Sequence, residues 1–180
     1  MQCFDSDRQE QIEMQQFREI VSKIRERCPW DKMQTHQSLG NCMIDETAEA
    51  LVAVKLYETM GDSENLCEEL GDLLFLILLQ SQIAEEEGIF TLDDVIQTVS
   101  DKMIRRHPHV FGTANVSGSG DVITAWEDIK KQEKAGKEWM EDYLPEAFLQ
   151  SRRYLEQAEE RKKQKKEQNR ESNEKRNGAE

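Results

Sequence analysis

The chain has 180 residues, of which 37% are hydrophobic and 34% charged, with a formal net charge of −13. That is enough apolar content for one modest core, with much of the chain left solvated. So acidic a body excludes binding to nucleic acid backbones, and the longest apolar run, Leu73 to Leu79, is too short to span a membrane.

Only 3 Pro and 9 Gly interrupt long helical periodicities, so the predicted class is all-α. Helix one is predicted from about Gln9 to Arg27, with Phe17, Ile20, Val21 and Ile24 as its buried stripe. Pro29 in CPWD breaks it. Helix two is predicted from about Asn41 to Met60, with Ile44, Ala48, Leu51 and Val52 or Tyr57 facing inward. Gly61 suits the position after a helix end, and Asp62 or Ser63 suits the next cap. So short a connection makes helices two and three antiparallel.

Helix three is predicted from about Glu64 to Glu87. Its centre, LLFLILL, is apolar all round, which places it centrally or beneath a second subunit. Thr91-Leu92-Asp93-Asp94 opens helix four with a capping-box pattern, and Val95, Ile96, Val99 and Met103 are its inward residues up to about Arg106. Residues 112–121, GTANVSGSGD, read as a flexible loop. Helix five covers about Val122 to Lys134. Three stretches follow from this reading: a catalytic-type domain over 1–135, a docking segment over 136–155, and a charged tail over 156–180 that reads as a solvated helix fraying into disorder.

The amino terminus, MQCFDSDRQEQIE, lacks the pattern of a signal peptide. Cys3, Cys28, Cys42 and Cys67 form no CxxC pair, which argues against a zinc site or disulfide frame and for a reducing cytoplasm. Charge is unevenly spread. Residues 150–180 carry 10 basic and 7 acidic side chains, leaving 14 basic and 30 acidic ones, or −16, in residues 1–149. From Met33 through Asp101 there are fifteen acidic residues and one basic residue, Lys55.

Two clusters in that stretch share one spacing. Helix two carries Asp45, Glu46 and Glu49; helix three carries Glu68, Glu69 and Asp72. Residues three and four apart share a helix face, so each cluster sets like charges side by side, and no Lys or Arg offsets them. A hairpin that brings the two clusters together needs protons or cations between them. Oxygen-only ligands suit Mg2+, with Mn2+ as the alternative. A single such cluster would be read as a solvated surface; two matched ones on a hairpin favour metal. Gly71 weakens helix three, and close approach of a ligand or helix would account for it.

A second constellation ends helix four. Lys102, Arg105 and Arg106 lie on one turn, suited either to a polyphosphate or to complementing the helix dipole. Trp126 and Lys130, four apart, suit base stacking and phosphate binding, although a buried aromatic beside a surface lysine is the better reading of that pair alone. Trp30, Asp31, His107 and His109 read as structural.

The stretches CPWDKMQTHQSL, DETAEALVAV, CEELGDLLF, EEEGIFTLDDV, SDKMIRRHPHVFG and WEDIKKQE, covering roughly Ile20 to Glu133, resemble the MazG family of nucleoside triphosphate pyrophosphohydrolases, of the all-α NTP pyrophosphatase group. The family pattern EExxE then ExxD falls on Asp45, Glu46, Glu49, Glu69 and Asp72, with Asp45 standing where the pattern has Glu. The resemblance implies Mg2+ bound by Glu46, Glu49, Glu69 and Asp72, with Glu46 or Glu49 serving the attacking water. It also implies substrate contacts at Lys102, Arg106 and Trp126, with Arg105 and Lys130 beside them. The implied reaction is attack of water on the α-phosphorus of a nucleoside triphosphate, releasing monophosphate and pyrophosphate. A helical homodimer or larger homo-oligomer is implied as well. Two rivals stand beside this: a narrower pyrophosphatase for dUTP or a phosphoribosyl nucleotide, and a non-enzymatic acidic scaffold.

Overall fold

The computed structural model describes residues 13–115 and 118–177. Among these residues every regular element is helical: α1 (Met14–Arg27), a 3-10 turn (Asp31–Met33), α2 (His36–Met60), α3 (Ser63–Glu86), α4 (Leu92–Arg106), the four-residue α5 (Pro108–Phe111), α6 (Ser119–Lys134), a second 3-10 turn (Glu138–Tyr143) and α7 (Leu144–Asn177). The chain divides into two compact units, residues 1–138 and 139–180.

Local chemistry sets the helix ends. Thr35 and Ser38 cap α2 reciprocally: Ser38 N–H donates to Thr35 Oγ1 at 3.2 Å and Thr35 N–H to Ser38 Oγ at 2.9 Å. Gly61, at φ +73°, closes α2 in the left-handed conformation that a side chain disfavours. Asp62 Oδ1 accepts from Asn65 N–H to open α3, and Thr91 and Asp94 exchange capping bonds to open α4.

In the first unit α3 is the central element, packed on α2, α1 and α4. Its residues Leu76, Leu78, Leu79 and Ile83 join Val21 of α1, Leu39 of α2 and Leu92 of α4 in the buried core. Full burial of each such side chain contributes about 1.5–3 kcal/mol. Antiparallel pairing of α2 and α3 follows from their end contacts. His36, at the start of α2, hydrogen-bonds Gln80 and lies 3.7 Å from Glu87 at the end of α3. Arg18 of α1 reaches Glu85 and Asp93. Arg25 binds Glu86 at 2.9 Å and also donates to the carbonyls of Asp31 and Gln34. Those bonds place the 31–34 turn, and with it the start of α2.

Several sequence expectations are corrected. Helix two starts at His36 rather than Asn41, because the Thr35 cap supplies the start and Gly40 is tolerated inside. Its buried residues are Leu39, Ala50 and Ala53, whereas Leu51, Val52 and Tyr57 are exposed. Leu51, Val52, Ala53 and Val54 form a contiguous apolar run, so periodicity could not choose the face. Small alanines are the residues that a closely packed helix tolerates there. On α1, Val21 is buried but Ile20 is exposed. On α4, Leu92 is the buried residue, and Ile96 and Val99 remain exposed. Helix α6 begins at Ser119, inside the expected 112–121 loop. Residues 9–12 of the expected first helix lie outside the described residues, as do 116–117 of the loop.

The second unit contains α7, a single helix of 34 residues that runs through Pro145 and the charged stretch. Proline is tolerated there because it stands in the first turn. Trp139 meets Tyr143 edge-on at 6.1 Å, and Arg161 stacks over Tyr154 at 5.6 Å. Arg152 pairs with Glu156 and Lys163 with Glu159 across one helical turn, exposed pairs that support the helix only weakly. Among the described residues no helix is long and apolar enough to cross a membrane.

Candidate functional site

The hairpin of α2 and α3 brings three of the four expected ligands together. Carboxylate oxygens of Glu46, Glu49 and Glu69 all lie within 4.8 Å of one another. Asp72 stands outside that convergence, yet its charge acts on Glu46. Desolvation raises the Glu46 pKa first, followed by the charges of Asp72, Glu49, Glu69 and Asp45. Asp45 and Glu46 also help burial push the Cys42 thiol up. Glu46 therefore holds its proton more tightly than an isolated glutamate does.

Glu69 carries the clearest signal. Its Oε1 accepts from Asn65 Nδ2 at 3.1 Å, while Oε2 is buried without a hydrogen-bond partner. A buried, unsatisfied carboxylate oxygen is costly. With two other carboxylates converging on it, the Glu69 carboxylate suits a hard divalent cation bound by oxygen alone. Asn65, one turn before Glu69, orients that carboxylate; the i, i+4 spacing of the pair is the sequence signal that marks it. Gly71 has open space around it, with nothing within 4 Å of the point where a Cβ would stand, so the close approach expected there is not made by this chain's described residues.

The cationic residues form a separate cluster where α4 meets α6. Arg105 binds Glu133 Oε1 through Nε at 2.7 Å and Nη2 at 2.6 Å. Arg106 binds Glu133 Oε2 through Nε at 2.9 Å and Nη2 at 2.6 Å. The Arg106 guanidinium also lies over the Trp126 ring, 5.0 Å from its centroid. His107 packs edge-on against the same ring at 5.0 Å and donates from Nδ1 to the Met103 carbonyl, the structural role expected of it. Lys130 pairs with Glu127 at 3.5 Å. Lys102 borders an open groove of about 390 Å³ lined also by Phe90, Asp94, Val95, Thr98 and Val99. Trp126 is half-buried and shared between stacking partners rather than enclosed in the core. Sequence reading does not single out Glu133, because nothing local shows that a residue on α6 meets two arginines on α4.

A family model described as the MazG nucleotide pyrophosphohydrolase domain matches residues 34–111. That span includes Asp45, Glu46, Glu49, Glu69 and Asp72, together with the basic end of α4, and stops before α6. The chain is 44% identical over 126 residues to the nucleoside triphosphate pyrophosphohydrolase/pyrophosphatase MazG of Thermotoga maritima, covering 67% of this chain and 46% of that protein. It is 40% identical over 121 residues to the nucleoside triphosphate pyrophosphohydrolase of Escherichia coli K12, covering 66% and 44%. An uncharacterized Bacillus subtilis protein, YabN, is 51% identical over 124 residues, 68% of this chain and 24% of that one. The chain thus spans less than half the length of these curated relatives. Among solved structures, a MazG-related protein from Thermotoga maritima is similar with a TM-score of 0.55 and 28% identity, over 66% of this chain and 99% of that one. The motif residues, the helical architecture and these likenesses agree, and residues 34–111 form a MazG nucleotide pyrophosphohydrolase domain.

Proposed function

We propose that this chain hydrolyses nucleoside triphosphates to monophosphate and pyrophosphate, with Mg2+, or Mn2+ in its place, held by Glu46, Glu49, Glu69 and Asp72. The observation that carries the metal reading is the partnerless, buried Glu69 Oε2 among converging carboxylates. The reaction class is supported by the relatives named nucleoside triphosphate pyrophosphohydrolase. A bound divalent cation supplies positive charge to phosphate oxygens and acidifies water. Glu46, whose proton affinity is raised by burial and its neighbours, orients the attacking water and accepts its proton at a carboxylate oxygen, with Glu49 beside it. Asn65 holds Glu69 in place. At the other cluster, Lys102, Arg105 and Arg106 neutralise the phosphates, Trp126 stacks on the base and Lys130 supports it. The inferred attack is at the α-phosphorus. We further propose a homo-oligomer in the cytoplasm, where the free thiols of Cys28, Cys42 and Cys67 remain reduced.

The test is a panel of ribo- and deoxyribonucleoside triphosphates, dUTP and a phosphoribosyl nucleotide, assayed with Mg2+ and with products resolved by chromatography. Monophosphate and pyrophosphate in equal amounts are expected, with turnover lost in chelator and in Glu69→Gln while helical circular dichroism persists. Diphosphate with orthophosphate, or full activity in chelator, refutes the proposal. Turnover confined to dUTP or to the phosphoribosyl nucleotide narrows the substrate class, and no metal-dependent turnover at all returns the chain to the scaffold reading.

A further inference from the structure

We infer that Glu133 is a positioning residue for nucleotide binding: it holds Arg105 and Arg106 side by side and keeps Arg106 stacked on Trp126, so that the free edges of the two guanidinium groups are aimed at phosphate. The inference rests on the reading of Lys102, Arg106 and Trp126 as substrate contacts. Its basis is the division of one carboxylate between two arginines. Oε1 takes the Nε and Nη2 groups of Arg105, and Oε2 takes those of Arg106, at 2.6–2.9 Å. The Glu133 and Arg106 side chains are only 20% and 14% exposed, whereas Arg105 is 55% exposed. Sheltering from water makes the Arg106 half of the clamp the firmer one.

Arginine presents five donors in a rigid plane. For Arg106, Glu133 engages the Nε and Nη2 edge, and Trp126 covers one face. The Nη1 group remains, and its direction is set by the other two contacts. Pre-setting a guanidinium in this way reduces the ordering cost of binding phosphate. A site built only to attract polyanions would gain from omitting the carboxylate, since Glu133 lowers the net charge of the trio from +2 to +1. Its presence therefore favours orientation over raw attraction.

Glu133 also acts on its own helix. Trp126, Lys130 and Glu133 are spaced by four and three residues, one face of α6. The clamp at the end of that face holds the stacking ring against the cationic end of α4. On the α4 side, His107 backs the same ring and is tied to the Met103 carbonyl. The Glu133 pKa is lowered, chiefly by the hydrogen bond from Arg106, in keeping with a carboxylate that stays ionised in the clamp.

The experiment compares Glu133→Gln, Glu133→Asp, Arg106→Lys and the Arg106→Lys/Glu133→Gln double variant with the full chain. Glu133→Gln should raise KM for the triphosphate about tenfold and leave kcat within about twofold, the pattern of lost binding shared by ground and transition states. Glu133→Asp, which keeps the charge, should recover most of that loss. If Glu133 acts through Arg106, the double variant should be little worse than Arg106→Lys alone. Binding is read separately in a Trp30→Phe/Trp139→Phe background, where Trp126 is the sole tryptophan, by titrating fluorescence with α,β-methylene-ATP. Unchanged KM and unchanged fluorescence midpoint in Glu133→Gln overturn the inference, as does a strictly additive double variant. Should Glu133→Gln fail to fold, Glu133→Asp with a KM no better than Arg106→Lys has the same force. A wild-type chain that neither binds the analogue nor turns over any triphosphate removes the functional reading and this inference together; turnover with an indifferent Glu133 removes the inference alone.

Discussion

Glu69 and Glu46 divide the work of the acidic site in different ways. Glu69 is steered by Asn65 and leaves one buried oxygen unsatisfied. Glu46 is the carboxylate on which the other charges press. Its raised pKa gives a signed expectation for the metal-free protein. The folded state holds the Glu46 proton more tightly than the unfolded state does, so stability declines as pH rises from the ordinary Glu range through the raised value. In chelator, Glu46→Gln should therefore melt above wild type at neutral pH, and the gap should close as pH falls toward about 4.5. Thermal melts of both proteins across that range check it. A gap that widens on acidification contradicts the crowding of these groups. Both residues could be read from the sequence, because matched acidic spacing on a helical hairpin has few other uses. Asn65 was within reach of the same argument. Glu133 was not, since its meaning arises only when α6 lies against α4.

At the scale of elements, local signals with a stereochemical cause survived into the structure. Gly61 ends α2 at positive φ, Asp62 caps α3, and Thr91 with Asp94 opens α4. Facing was harder to read. Helix α2 presents Leu51, Val52, Val54, Tyr57 and Met60 outward, with Leu51 at 68% and Met60 at 70% exposed. A sequence apolar on more than one face carries no single stripe for periodicity to find. Such a face, on a hairpin whose other helix exposes Leu70, suits contact with a second copy. Light scattering is expected to show a dimer or a dimer of dimers, and Val52→Glu should shift it toward monomer at micromolar concentration. A wild-type monomer with full activity contradicts this.

Across the molecule, the apolar core and the chemistry occupy different parts of α3. Leu76 to Ile83 build the core, while Glu69 and Asp72 lie nearer the helix start. The order of the five expected helices could be read in advance because caps and breakers punctuate the chain, whereas the four-residue α5 at Pro108–Phe111 and the two 3-10 turns could not. The charged stretch after Glu156 is helical in α7 as far as Asn177, with pairs such as Glu159 with Lys163 along its surface. Helical i, i+4 pairing and propensity outweigh the lack of apolar side chains there.

The metal site proposed at the convergence of Glu46, Glu49 and Glu69 also predicts a coupling of the fold to the ionic medium. A cation that binds the assembled hairpin but not the unfolded chain adds stability as the logarithm of its free concentration, about 1.4 kcal/mol for each tenfold step above its dissociation constant. For a chain of this size that is roughly 4 °C in melting temperature per decade. Melting temperature plotted against log Mg2+ should therefore rise linearly in wild type and lie nearly flat in Glu69→Gln, even with no nucleotide present. The proposed linkage ties the stability of this chain, as well as its activity, to the supply of divalent cation.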